Sequence, residues 1–87
     1  MGQTLLITSN EQINASYMRY YHLRINRGMT DQDVAKTLHI GLNAFINWRT
    51  GKAIPSIKNL YKLAQYFDTQ VSYITDGVSL NADGIAT

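Results

Sequence analysis

An all-α fold of five short helices is what the sequence predicts, and three observations carry that expectation. Apolar residues recur at helical spacing in successive segments, beginning with Ile13, Tyr17, Tyr20 and Leu23. Helix-stop and helix-start residues fall between those segments: Gly28 and Thr30, His39, then Gly51, Pro55 and Ser56. The 87 residues include no cysteine, so neither a disulfide framework nor a thiolate metal site can stabilise the chain. A chain of this length builds one small core, and packed helices must supply it.

Taken in order, residues 1–10 read as an N-terminal arm, polar apart from Leu5-Leu6-Ile7. The domain is expected over 11–77. Its first helix starts near Ile13, and Gly28 stops it. Thr30 with Asp33 three positions on forms a capping box, with Asp in place of the preferred Glu. Asp31 and Asp33 also set negative charge on the positive end of the helix macrodipole. This predicts a second helix over about 31–38. His39 then takes a turn position that favours a left-handed backbone, a region in which His is enriched. The third helix should run over about 42–50 and end at Gly51. Pro55 disfavours helical geometry just before it. Ser56 caps a fourth helix of about 57–67, whose stripe of Ile57, Leu60, Tyr61, Leu63, Ala64 and Phe67 is wide enough to be covered on more than one side. Ser72 is expected to cap a last short helix that reaches about Thr75 and stops at Gly77. Residues 78–87 read as a tail or linker.

The segment 31–50 carries the organising pattern. Val34, Ala35 and Leu38 line one face of its first helix, Ile40 sits in the turn, and Phe45 and Trp48 line one face of its second. A small residue at 35 among these apolar positions lets two helices cross closely at a steep angle. That is a helix-turn-helix arrangement, whose second helix is shaped to enter a DNA major groove.

Charge is consistent with a polyanion partner and equally with an ordinary solvated helical surface. All eight basic residues lie between Arg19 and Lys62, with only Asp31 and Asp33 against them, so the centre carries +6. Glu11, Asp68, Asp76 and Asp83 put −4 on the flanks and return the net +2. No apolar run approaches the roughly 18 residues of a membrane span. There is no basic n-region before an h-region, and Leu6 stands where a myristoylation signal wants Ser or Thr. A cytoplasmic protein with no membrane partner is the expectation. His22 and His39 have no cysteine or carboxylate cluster around them, so no metal or other cofactor is expected. Paired catalytic carboxylates, a nucleophile–base constellation and a phosphate-cradling glycine loop are missing from the sequence pattern, so no enzyme is expected.

From about Tyr20 to Asp76 the chain resembles the lambda-repressor-like (Cro/repressor, XRE-type) family. The resemblance rests on Leu23-Arg24, Gly28-Met29-Thr30, Val34-Ala35, Leu38, Ile40, Phe45, Trp48, Gly51, Pro55, Leu60, Leu63-Ala64, Phe67 and Val71-Ser72. It implies a compact five-helix DNA-binding domain with the helix-turn-helix at helices two and three, usually a homodimer, with the third helix in the major groove of double-stranded DNA. Position by position, it implies base contacts from Leu42, Asn43, Ala44 and Asn47, with Ile46 near the groove wall. Asn can pair bidentately with adenine, and Leu42 or Ala44 can meet a thymine methyl. It implies backbone contacts from Gln32, Arg49, Thr50, Lys52, Lys58 and Asn59, of which Lys52 directly follows the groove-entering helix. Lys58 and Lys62 fall on the polar side of the fourth helix, where plain solvated surface is the alternative reading for both.

Two departures from the family's pattern matter. Asp31 stands where the family often has a phosphate-contacting Gln. Arg49 stands where the family commonly has a Glu that pairs with the arginine matched by Arg24. Two arginines cannot make that bond, and burying both unpaired would cost several kcal/mol. Either Arg49 swings outward to a phosphate or Arg24 finds another partner, such as a helix C-terminal carbonyl, and Arg49 is expected to face solvent. The Asp31 carboxylate repels phosphate, so the backbone contact at that position is not expected unless Asp31 turns to cap its helix.

Tyr17, Tyr20, Tyr21 and Tyr61 fit core or near-core positions, and Trp48 is expected as the plug between helices two, three and four. Val71, Tyr73, Ile74, Val78 and Leu80 are more apolar than a terminus needs. Some should cover the core and the rest could form a two-fold dimer interface. The expected function is a sequence-specific transcriptional regulator, a phage- or prophage-type repressor binding a palindromic operator as a dimer. The alternative is a helix-turn-helix protein-interaction module, such as an antitoxin or regulatory partner, with weak or no DNA binding.

Overall fold

The computed structural model describes residues 10–76 and 78. Five helices follow one another: α1 Asn10–Asn26, α2 Asp31–Leu38, α3 Leu42–Arg49, α4 Ile57–Tyr66 and α5 Val71–Thr75. The expected second helix has the bounds read from the sequence. The first begins three residues earlier than expected, the third and fourth stop one residue sooner, and Gly77 lies outside the described residues.

Four of the five helices end by the same backbone device. Residues 28, 39, 51 and 68 adopt positive φ (68°, 57°, 81° and 55°). The next N–H then reaches the carbonyl five residues back: Met29 to Arg24 at 3.1 Å, Ile40 to Ala35 at 3.0 Å, Lys52 to Asn47 at 2.8 Å and Thr69 to Ala64 at 2.9 Å. This closes orphan carbonyls at each helix end and keeps the connections short. His39 fills the left-handed position of the α2–α3 turn, as its type allows.

Helix starts are less uniform. Thr30 and Asp33 form the expected capping box, with Asp33 N–H donating to Thr30 Oγ1 at 3.1 Å and Thr30 N–H donating to Asp33 Oδ2 at 3.0 Å. Ser56 Oγ accepts from Asn59 N–H. The last helix corrects an expectation: Gln70, not Ser72, is its N-cap, and no side-chain cap bond forms there. Ser72 lies inside the helix and donates to the Gln70 side chain at 3.3 Å.

The core draws on every helix and centres on aromatic rings. Tyr20 stacks on Trp48 with ring centroids 4.9 Å apart, and also meets Phe45 at 5.3 Å and Phe67 at 6.1 Å. Tyr17 meets Trp48 edge-on at 5.7 Å. Each such pair adds about 0.5–1.5 kcal/mol beyond area burial. Trp48 is fully buried, as a plug should be, and its ring neighbours across the core are on α1, a helix the sequence expectation did not include. Its Nε1–H donates to Ser16 Oγ of α1 at 3.1 Å, and both residues are fully buried. That bond satisfies two polar groups that would otherwise be costly to bury. Val34, Ile40, Leu60, Leu63 and Ile74 complete the packing. Leu38, expected on the inner face, is only half-buried against this core. Tyr61 is a second correction, being 59% exposed, because its position on α4 turns away from the face that carries Leu60, Leu63 and Ala64.

Candidate nucleic-acid interface

Burying Phe45 and Trp48 fixes the rotation of α3, so its other side must face outward. Leu42 and Asn43 are exposed, whereas Ile46 and Asn47 are half-buried. Ala44 is half-buried as well and packs against the core, which leaves only part of its methyl surface outward. Gly41 caps α3 by backbone conformation alone, with no side-chain hydrogen bond at its first turn. Free N–H groups at a helix start favour an anion such as phosphate.

The residues proposed for the DNA backbone differ in what they have to offer. Gln32, Lys52 and Lys58 are exposed, and Asn59 is half-buried with its backbone N–H bound to Ser56. Thr50 is exposed, but its hydroxyl folds back on Ile46 O at 2.9 Å and Asn47 O at 3.3 Å. In that rotamer its single donor is occupied. Lys62, read as merely solvated, instead donates from Nζ to Leu38 O at 3.3 Å, covering a carbonyl at the C-terminal end of α2.

Where Asp31 and the two arginines meet, the structure resolves both departures at once. Asp31 does not cap its helix. Its carboxylate turns toward α1, where Oδ1 accepts from Tyr20 Oη at 2.7 Å and from Arg24 Nε at 2.9 Å, while Oδ2 accepts from Tyr17 Oη at 2.8 Å. Arg24 adds bonds from Nη1 to Met29 O at 3.1 Å and from Nη2 to Tyr17 Oη at 3.2 Å, and lies over the Tyr21 ring at 4.7 Å. Both side chains of the Arg24–Asp31 pair are 11% exposed. A pair so removed from water is tolerable because every edge is bonded. The acid that α3 lacks is thus supplied by α2.

This network shifts the tyrosines. Burial first, and then the adjoining Asp31 carboxylate, push the Tyr20 hydroxyl far above its ordinary 10.0. Burial likewise raises Tyr17. The shift favours the protonated hydroxyl at both positions, the form that donates to Asp31.

Arg49 faces solvent as expected, with its side chain 53% exposed. Its Nη1 lies 3.6 Å from Asp31 Oδ2, an ion pair longer than a hydrogen bond. The hydroxyls of Tyr17 and Tyr20 were missed as functional groups in the sequence. Their spacing to Arg24 places all three on one face of α1, but nothing local marks Asp31 as their common acceptor.

At the chain's end, Ile74 is fully buried in the chain's own core and offers no side chain to a partner. Val71 and Val78 are half-buried against that core, Tyr73 is 46% exposed, and Leu80 lies outside the described residues.

Residues 19–80, well over half of the chain, match the family model described as "Helix-turn-helix domain". The chain belongs to that helix-turn-helix family. Among solved structures it is similar to the solution structure of the SOS-response transcriptional repressor LexA from Eubacterium rectale. That similarity has a TM-score of 0.67 and 25% identity, and covers 84% of this chain and 78% of that one. The search of curated proteins returned no match. Family and structural likeness together support a DNA-binding transcription regulator. Among the described residues, no helix is long and apolar enough to cross a membrane, and no group of three or more His, Cys, Asp or Glu is placed to hold a metal.

Proposed function

We propose that this helix-turn-helix domain reads duplex DNA with α3 and acts as a repressor of the phage or prophage type, occluding a palindromic operator as a dimer. The observation that carries the proposal is the two-sided character of α3, with Phe45 and Trp48 at 0% exposure and Leu42 and Asn43 outward. Asn43 and Asn47 stand four residues apart on that outer side, with Lys52 just past its end. Asn chemistry favours adenine, so the half-site should contain A·T pairs. Arg49, Lys52 and Lys58 contribute the electrostatic share, and Gln32 offers phosphate a neutral hydrogen-bond donor; neither depends on sequence. The similarity to a LexA repressor is consistent with a regulatory role.

Three features favour the interaction-module alternative: Asp31, an acid where phosphate should approach, Arg49, and an α3 with no basic residue on its groove face. With that carboxylate 11% exposed and bonded to Tyr17, Tyr20 and Arg24, its repulsion toward DNA is largely neutralised within the fold. Selection of bound sequences from a random duplex library tests the main reading. Enrichment of an inverted repeat with half-sites one helical turn apart is the expected result. Failure to enrich any sequence, together with binding that does not depend on salt, would favour the alternative. Sedimentation should find a dimer, and a chain that stays monomeric when concentrated would remove the two-fold arrangement.

A further inference from the structure

We infer that Asp31 is a positioning residue for DNA binding, holding the Arg49 guanidinium by one edge so that its other edge meets a backbone phosphate. The inference rests on the DNA-binding reading above and adds to it the source of Arg49's orientation. One carboxylate stands between two guanidinium groups, and the two are held very differently. Arg24 is 2.9 Å from Asp31, with its Nη atoms bonded to Met29 O and Tyr17 Oη, so its charge is matched inside the fold. Arg49 is tethered at 3.6 Å through Nη1 alone, and half of its side chain is in solvent. The cluster of two arginines and one aspartate therefore carries a net positive charge, and Arg49 presents it.

The geometry around Arg49 leaves room for a second partner. It lines an open cleft of about 430 Å³, together with Asn14, Tyr17, Met18, Tyr21 and Arg24 of α1 and the Asp31 carboxylate itself. Asp31 cannot follow Arg49 outward, since the Tyr17 and Tyr20 hydroxyls and Arg24 fix both its oxygens. A fixed carboxylate on one edge limits the rotamers of a long side chain. An arginine has donors on two edges in a rigid fork and can bridge a carboxylate and a phosphate together. A lysine, with one ammonium point, cannot reach both in the same way.

The test measures affinity of the full chain for a mixed-sequence duplex across a salt series, because phosphate contacts do not require a particular sequence. Arg49→Ala should weaken binding about tenfold at fixed salt and reduce the salt slope by about 0.9. Arg49→Lys, which keeps the charge and sits on an exposed position, should lose most of that affinity as well. In an Asp31→Asn background, the further loss caused by Arg49→Ala should shrink to a fraction of its wild-type size. Arg49→Lys binding as tightly as wild type, or an Arg49→Ala loss undiminished in the Asp31→Asn background, overturns the inference while leaving the DNA-binding reading intact. If Asp31→Asn fails to fold, the comparison of Arg49→Lys with Arg49→Ala decides alone. A wild-type chain whose binding ignores salt defeats the DNA-binding reading, and this inference with it.

Discussion

The two sides of α3 obey different physics although they share eight residues. On the inner side, Phe45 and Trp48 are sealed against Tyr17 and Tyr20, and the polar indole N–H is matched to Ser16. On the outer side, Leu42 and Asn43 are free of the core, and Asn47 is half free of it. The inner side defines where the helix is. The outer side can then vary without moving it, which is how one scaffold carries many binding specificities. The same contrast recurs in the two arginines, one held inside the fold and one presented outside it.

Substitutions put this contrast to the test, and the largest effect should come from the inner side. Trp48→Ala should cost about 3–5 kcal/mol, read as a large loss of urea or thermal stability. A cooperative melt with only a small shift would mean that the aromatic stack on α1 is not what holds α3.

The next effect lies in the network that joins the sides. Asp31→Ala strands Arg24 and two hydroxyls and should cost about 3 kcal/mol. Arg49→Ala, next to the same carboxylate but exposed, should change stability by less than about 0.5 kcal/mol. Equal losses would erase the distinction between the two arginines. Moving the acid across the turn, as Asp31→Gln with Arg49→Glu, should recover most of the Asp31→Ala loss if a carboxylate is what Arg24 requires.

Alkaline titration probes the same network without mutation. The tyrosine pKa values are raised in the folded state, so their contribution is fully present below the unfolded value of 10.0 and declines as pH rises above it toward the folded value. Stability followed by denaturant melts should therefore fall above pH 10.0, and Tyr20→Phe should flatten that fall. A profile unchanged by Tyr20→Phe would separate this hydroxyl from the alkaline limb.

The outer side should respond in binding alone. Asn47→Ala is expected to weaken the selected site by about 1–3 kcal/mol with little change in melting, and to weaken random DNA less. A gain rather than a loss belongs to the turn. His39→Gly relieves a left-handed non-glycine residue and should stabilise by about 0.5–1 kcal/mol, net of glycine's greater chain entropy. A destabilised His39→Gly variant would show that the imidazole contributes more than a permissive backbone.

The local part of this molecule was legible in the chain before any fold was known. The five helices, the Thr30–Asp33 capping box, the left-handed His39 and the inward Val34, Phe45 and Trp48 depend on residues within about one helical turn of each other. Their spacing alone therefore encodes them. The rest emerged only when the helices packed. Packing turned Asp31 to Arg24, Tyr20 and Tyr17, which lie 7, 11 and 14 positions away. It placed Lys62 on Leu38 O, 24 positions apart, and sent Tyr61 outward and Ile74 inward. Those outcomes depend on how helices cross, which local periodicity does not encode. A carboxylate in one helix can stand in for one missing from another only because the fold brings their ends to the same buried arginine.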